Sequence, residues 1–135
     1  MKTFMDQYIE QIEPKLKAID LFLKTEIPPY CPKKTAKLLH ISKDELENIM
    51  TKEHISNITS QTLFQIMKRG SSSICRMFAR ELERGIPRFY SVEDISYIYN
   101  LDVCSVIDAS KKMGLSCFTE PMLKALFQQI PLHSP

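Results

Sequence analysis

The chain has 135 residues, of which 44% are hydrophobic, with only three glycines and no tryptophan. This size fits one ordinary domain or two very small ones, and the composition favours helices over a β-sheet. The net charge of +2 is small, and no apolar run is long enough for a signal peptide or a membrane span, so we expect a cytoplasmic protein.

The formal charge is unevenly distributed along the chain. It is −1 over residues 1–31, +3 over 32–69, +2 over 70–90 and −2 over 91–135. The middle of the chain is therefore its basic part. Such a patch suits a weak contact with phosphate, although solvated helix faces produce the same distribution.

The cysteines are widely spaced and form none of the close pairs that zinc sites use. They are Cys31, Cys75, Cys104 and Cys117. We therefore expect free thiols in a reducing compartment, with no metal, no cofactor and no disulfide framework.

The first predicted helical face runs from Phe4 to Leu23, where apolar residues recur every three or four positions. Pro14 falls inside it, and a proline lacks the amide donor that a helix interior needs. The sequence predicts either a kink there or a second helix that begins at Glu13. Residues 27–32, IPPYCP, are predicted to be an extended connector.

Two short helices are predicted next, at residues 33–39 and 43–52. Ser42 is the expected N-cap of the second helix, and Glu45, three residues further on, is its expected capping-box partner. Serine or threonine opens most of the remaining predicted helices, and glycines stop three of them. They run from residue 59 or 60 to 69, from 71 to 84, from 91 to about 99, from 103 to 113 and from 119 to 129.

The chain contains two copies of a helix-turn-helix pattern. This pattern needs a small residue in the first helix, an apolar residue before the turn and a turn residue that tolerates positive φ. An apolar residue follows the turn, and two more lie five and eight positions after it. The first copy has Ala36, Leu39, His40, Ile41, Leu46 and Ile49, and the second has Ser96, Tyr99, Asn100, Leu101, Val106 and Ala109.

The first copy and its surroundings resemble the phage-repressor, or lambda-repressor-like, class of helix-turn-helix DNA-binding domains, in which five helices pack around one core. The resemblance covers Phe4 to about Arg84, with the turn in AKLLHIS and closing helices in ITSQTLFQIMKRG and SSSICRMFAREL. The second copy, YSVEDISYIYNLDVCSVIDASKKMGL, looks like a second such unit. We therefore predict an all-α compact bundle of about eight or nine short helices, with a repressor-like domain at 1–85 and a second unit at 86–135 packed on it.

The resemblance implies a transcriptional regulator that binds double-stranded DNA, because in this class the second helix enters the major groove. Ser42 and Asn48 are the candidate base contacts. Asp44, Glu45 and Glu47 lie in the same helix, and acids face a polyanion poorly. The candidate phosphate contacts are Lys33, Lys34, Lys37, Lys43, Lys68, Arg69, Arg76 and Arg80.

Residues 71–73 open a helix with three serines, and Arg76, Arg80 and Arg84 follow at four-residue spacing. Free amides, hydroxyls and arginines at a helix N-terminus make an anion site. Ordinary capping followed by a solvated arginine stripe explains the same residues. Both interpretations are open at this point.

The second copy has a different exposed face. Residues 91–110 contain four acidic residues and no basic one, and Val103, Cys104 and Ile107 are its candidate contacts with a partner. We expect a homodimer or another protein at this face. Burial of the face against the last helix is the alternative.

Enzyme motifs are absent from the sequence: there is no glycine-rich phosphate loop, and the three histidines are not clustered. We therefore predict a protein that is not an enzyme. The leading hypothesis is a dimeric DNA-binding transcriptional regulator. The alternative is a protein-protein interaction module on a helix-turn-helix scaffold that no longer reads DNA.

Overall fold

The structure is a computed structural model that describes residues 2–85 and 88–132. It is mostly helical with one very small antiparallel sheet, which confirms the predicted all-α class. The elements in chain order are α1 (Phe4–Gln7), a π-helical segment (Tyr8–Ile12), α2 (Glu13–Thr25), α3 (Pro32–Leu39), α4 (Lys43–Lys52), α5 (Ser60–Arg69), α6 (Ser73–Glu83), β1 (Tyr90–Ser91), α7 (Val92–Tyr99), α8 (Val103–Met113), β2 (Cys117–Phe118) and α9 (Glu120–Phe127).

The N-terminal helical segment accommodates Pro14 without a break. Helix α1, the π-helical segment and α2 follow one another directly, and the π-helical turn ends just before Glu13. A proline cannot donate to the carbonyl four residues earlier, and its ring crowds that carbonyl. The crowded carbonyl is that of Glu10, which lies in the π-helical segment, where hydrogen bonds span five residues and the turn is wider.

The chain forms two compact units. The central unit comprises residues 14–79, and the terminal unit comprises residues 1–13 together with 80–135. The sequence predicted a domain boundary between residues 85 and 86, and residues 86 and 87 lie outside the described residues. In the structure, the chain passes from one unit to the other after residue 13 and again after residue 79.

The two units repeat the same local structure at a constant offset of 60 residues: α3 begins at Pro32 and α7 at Val92, and α4 begins at Lys43 and α8 at Val103. Burial follows the same offset. When residues 41–70 are compared with 101–130, 27 of the 30 pairs share the same class of buried, intermediate or exposed.

The tight turns also correspond. His40 and Asn100 both have left-handed backbone conformations, with φ of 58° and 54°. The residue after each turn donates its amide hydrogen to a carbonyl of the preceding helix: Ile41 to Ala36 at 3.1 Å and Leu101 to Ser96 at 2.9 Å. Both predicted hairpins are therefore present as two helices joined by a left-handed turn.

The core of the central unit is built from α3, α4, α5 and the start of α6, with Leu39, Leu46 and Leu63 fully buried. Gly70 follows α5 in an extended conformation, with φ of −69°. A Cβ atom at this position would lie 2.5 Å from the Sγ of Cys75. The glycine is therefore required by the close approach of α6, and a positive φ plays no part.

The core of the terminal unit includes the N-terminal segment. The ring of Phe4 is buried and lies edge-on to Phe127, with centroids 4.7 Å apart, and the Phe4 amide donates to the Ile130 carbonyl at 2.8 Å. The short sheet pairs Tyr90 with Phe118 in the same unit. Residues from both ends of the sequence therefore build one core.

Among the described residues, no helix has the length and apolar character needed to cross a membrane.

Candidate nucleic-acid interface

The N-terminus of α4 has the predicted cap but not the predicted capping box. The Ser42 hydroxyl accepts the Glu45 amide hydrogen at 3.0 Å, which confirms Ser42 as the N-cap. The prediction for the Glu45 side chain is wrong. Its carboxylate instead accepts hydrogen bonds from the amide of Ser71 at 2.8 Å and from the hydroxyl of Ser71 at 2.6 Å. Ser71 directly precedes the Ser72 cap of α6, and its amide and hydroxyl together offer two donors to one carboxylate, which explains the preference.

At the predicted anion site, residues 71–73, Ser71 already binds a carboxylate of the same chain, that of Glu45. The Ser72 hydroxyl accepts the Cys75 amide hydrogen at 3.3 Å and donates to the Leu39 carbonyl at 2.7 Å. The start of α6 is thus capped by Ser72, and the amide and hydroxyl of Ser71 just before it bind the carboxylate of Glu45. An external anion would have to displace that carboxylate to reach Ser71.

The exposed face of α4 consists of polar residues, while Leu46 and Ile49 turn into the core. Exposed on it are Lys43, Asp44, Glu47, Asn48 and Thr51. Because Glu45 is directed to Ser71, this face presents two carboxylates rather than the three that the sequence suggests.

An open cleft of about 580 Å³ lies between the start of α3 and the exposed face of α4. Its lining combines two lysines, one carboxylate, a hydroxyl and a thiol. The lining residues are Cys31, Pro32, Lys33, Lys43, Glu47, Met50 and Thr51. The turn therefore brings the basic start of α3 next to the side chains of α4.

The lysines around this cleft differ in their partners. Lys33, Lys37 and Lys43 are exposed, and none of them has an ion-pair partner among residues 2–85 and 88–132. Lys34 lies 3.1 Å from the carboxylate of Glu26 on a largely exposed surface. Such an exposed pair is weak and can be exchanged for another anion.

The candidate base contacts lie on the same helix. Ser42 and Asn48 are both exposed, at the start and in the middle of α4. The Ser42 oxygen accepts the capping hydrogen bond, which leaves its own hydrogen free to donate.

The other predicted phosphate contacts in the central unit are Lys68, Arg69 and Arg76, all of them exposed. Arg69 is paired with the carboxylate of Glu53 at 2.6 Å. Lys68 and Arg76 have no ion-pair partner in the described part of the chain. Neither of them lines the cleft between α3 and α4.

Arg80 belongs to the terminal unit and contacts a backbone carbonyl of that unit. Its Nε donates to the Ile98 carbonyl at 2.9 Å, and the side chain is half-buried. Arg84 lies 3.7 Å from the carboxylate of Asp94 and stacks over the Tyr97 ring. These two arginines are therefore engaged by their own unit and do not form a free solvated stripe.

Cys31 is a feature of the cleft that sequence reasoning missed. It is the exposed N-cap of α3, where hydrogen bonds from the backbone amides of Lys34 and Lys33 lower the pKa of its thiol. Amides at a helix N-terminus favour the thiolate in this way. The signal in the sequence was a cysteine directly before a proline that starts a helix.

The corresponding face of the terminal unit is apolar and exposed. Val103 has 39% of its surface exposed, Cys104 is exposed, and Ile107 is half-buried. The alternative that the last helix buries this face is not what the structure shows. A cleft of about 530 Å³ lies beside it. Its lining residues are Val92, Glu93, Ile107, Ser110, Lys111, Gly114, Leu115 and Ser116.

Within the described ranges, no three or more His, Cys, Asp or Glu side chains are grouped so that they could hold a metal ion.

The chain matches no protein-family model, no curated protein and no solved structure. Its functional interpretation therefore depends on the residues and geometry described above.

Proposed function

We propose that the protein is a DNA-binding transcriptional regulator whose central unit binds duplex DNA through the hairpin of α3 and α4. The observation that supports this most directly is the cleft at the hairpin. It is lined by Lys33 and Lys43, which have no ion-pair partner among the described residues, while Glu45 is turned away to Ser71.

In this proposal, Lys33, Lys37 and Lys43 contact phosphates. Each lysine that neutralises a phosphate releases condensed counterions, so affinity falls as salt rises. Asp44 and Glu47 on the same face weaken the attraction. We therefore expect modest, strongly salt-dependent binding rather than a tight complex.

Ser42 and Asn48 are the proposed base contacts. An asparagine side chain can hydrogen-bond an adenine edge through two atoms, and a serine hydroxyl can contact several bases. Two such contacts from one short helix give limited discrimination. Recognition of paired half-sites would supply the remainder.

The proposal is tested by fluorescence anisotropy of a labelled random-sequence duplex over a series of salt concentrations. The double variant Lys33→Ala and Lys43→Ala should bind more weakly, with a salt slope reduced by about 2, since each lost phosphate contact removes about 0.9. Lys68→Ala with Arg76→Ala removes the same charge from exposed side chains of the same unit that do not line the cleft, and it is the matched control.

Two results would count against the proposal. One is wild-type protein that shows no salt-dependent binding even at low salt. The other is an equal loss of affinity in both double variants, which would indicate attraction to total charge rather than to this cleft.

A protein-protein interaction module is the second candidate function. The observation that favours it is the apolar face of α8, where Val103 at the start of the helix is 39% exposed and Leu115, just after its end, is 36% exposed. Both candidates can hold in one chain, because these residues and the lysine-lined cleft belong to different units. A failure of the anisotropy experiment would leave the interaction module as the proposed function.

A further inference from the structure

Equivalent faces of α4 and α8 have opposite polarity. At the constant offset of 60 residues, three charged positions of α4 correspond to three apolar or weakly polar positions of α8. The pairs are Lys43 and Val103, Asp44 and Cys104, and Glu47 and Ile107. The backbone and the burial pattern are kept, so the difference lies in what each face contacts.

The clefts beside the two faces also correspond. Five lining residues of one cleft are equivalent to five of the other. The pairs are Pro32 and Val92, Lys33 and Glu93, Glu47 and Ile107, Met50 and Ser110, and Thr51 and Lys111. The formal charge of the lining is +1 in the central unit, from Lys33, Lys43 and Glu47, and zero in the terminal unit, from Glu93 and Lys111. The second cleft therefore attracts a phosphate backbone less.

An exposed apolar face on a small helical unit favours a contact that removes it from water. Val103 and Leu115 are 39% and 36% exposed, and Ile107 lines the cleft together with Val92 and Leu115.

The charges at the ends of α8 favour a second copy of the chain as the partner that covers this face. Asp102 caps the start of the helix, with its carboxylate accepting the Ser105 amide hydrogen at 3.2 Å, and Lys111 and Lys112 lie in its last turn. A helix with an acid at one end and bases at the other is complementary to an antiparallel copy of itself. Antiparallel packing also aligns the two helix dipoles favourably.

We propose that the protein forms a homodimer in which the α8 faces of two copies pack antiparallel around Ile107. The acidic start of each helix then lies beside the lysines of the other. Ile107 packs on its own symmetry mate, and Val103 is covered by the aliphatic stem of the partner's Lys111. This is an isologous contact, in which the same patch is used on both copies. It extends the proposed function, because a dimer presents two central units to paired half-sites.

A contact made by one short helix and its rim is smaller than the roughly 800 Å² per partner of a standard interface. The dimer should therefore be weak, with a dissociation constant on the order of micromolar or above. Sedimentation velocity without DNA, from low micromolar to several hundred micromolar, should show a reversible monomer–dimer equilibrium.

The variant Ile107→Glu should raise the dissociation constant at least tenfold, because it places two like charges at the centre of the contact. Glu47→Gln changes the equivalent position of the central unit and should leave sedimentation unchanged. Circular dichroism of both variants checks the fold. A monomer at all concentrations, or a dimer unaffected by Ile107→Glu, would overturn the proposal.

Cross-linking tests the antiparallel geometry separately. Cys104 is three residues from Ile107, which gives an axial offset of about 9 Å between the two thiol positions; with helix axes about 9 Å apart, their separation is on the order of 13 Å. The background is Cys31→Ser with Cys117→Ser, which removes the other exposed cysteines and leaves the buried Cys75.

A bis-maleimide of matching length should join two copies through Cys104 in this background. The further change Ile107→Glu should abolish the product at equal protein concentration. A dimer in sedimentation that gives no Cys104 cross-link would refute the α8 contact.

The two proposals can fail independently. Sedimentation and cross-linking contain no DNA, and the double variant at Lys33 and Lys43 should dimerise like the wild type. Loss of DNA binding with an intact dimer, or the reverse, identifies which proposal is wrong.

Discussion

The carboxylate of Glu45 accepts two hydrogen bonds from Ser71, one from its amide at 2.8 Å and one from its hydroxyl at 2.6 Å. This pair joins the first turn of α4 to the segment between α5 and α6. It therefore has two consequences for the central unit. It joins α4 to the segment before α6, and it directs one carboxylate away from the surface that we propose faces DNA.

Replacement of Glu45 by Gln should lower the free energy of unfolding by about 1 kcal/mol. Hydrogen bonds to an ionised acceptor contribute about 1.5–3 kcal/mol, and the partial exposure of this pair reduces the effect. Urea denaturation measures the change. Glu47→Gln, at an exposed site of the same helix, should change stability by less than about 0.5 kcal/mol. Equal effects of the two variants would mean that the Ser71 contact contributes nothing.

The same two glutamates should affect DNA binding in the opposite order, with a larger effect of substitution at Glu47 than at Glu45. Glu47 lines the cleft, so Glu47→Lys should tighten binding to a random duplex and steepen its salt dependence. Glu45→Lys places the same charge on the side chain that contacts Ser71 and should improve binding less, with a loss of stability. Anisotropy at two salt concentrations separates them. If the two substitutions tighten binding equally, α4 does not face DNA in the proposed orientation.

Cys31 should be the most reactive of the exposed cysteines. The lowered pKa of its thiol means that a larger fraction is thiolate at neutral pH, and the thiolate is the nucleophile. Alkylation with iodoacetate, followed by mass spectrometry of peptides, should label Cys31 faster than Cys104 and Cys117. Because Cys31 lines the cleft, the added carboxylate should also weaken DNA binding. In a Cys31→Ser protein, iodoacetate should leave DNA binding unchanged.

Features with local causes were predictable from the sequence. The helix from Val103 to Met113 was predicted with the observed bounds, and Ser42 was predicted as an N-cap. The left-handed turn at Asn100 was also predicted, and His40 takes the same conformation. Helix caps, turn residues and apolar spacing all act within a few residues, so the sequence displays their whole cause.

Features with distant partners were not predictable. Glu45 lies 26 residues from Ser71, and sequence reasoning assigned its side chain to the nearest cap. The amide of Phe4 donates to Ile130 at the other end of the chain, although the N-terminal segment was expected in a domain with residues up to 85. A local pattern shows that a side chain can form a hydrogen bond, but it does not identify which of several possible donors or acceptors elsewhere in the chain is the partner.

The contribution of Phe4 to the terminal unit gives a further prediction. Its ring is 1% exposed and contacts Phe127 and Tyr99, so Phe4→Ala should cost about 3–5 kcal/mol. Hydrogen exchange should show the loss of protection in α9, within the same unit. Phe89→Ala makes the same chemical change at a side chain that is 58% exposed and should cost less than about 0.5 kcal/mol. Undiminished α9 protection in Phe4→Ala would contradict the described core.

Alkaline pH should destabilise the terminal unit through Tyr99. Burial raises the pKa of this phenol well above its usual value near 10, so it is neutral in both states below that pH. As pH rises further, the unfolded chain ionises and the folded chain does not, so stability falls by up to about 1.4 kcal/mol per pH unit for each such tyrosine. Tyr8 and Tyr90 share this environment, and their pKa values are also raised, chiefly by burial. Tyr99→Phe should therefore reduce the slope of unfolding free energy against pH above 10 without changing it near pH 7, as measured by denaturant titration. An unchanged slope would mean that Tyr99 ionises in the folded protein as readily as in the unfolded chain.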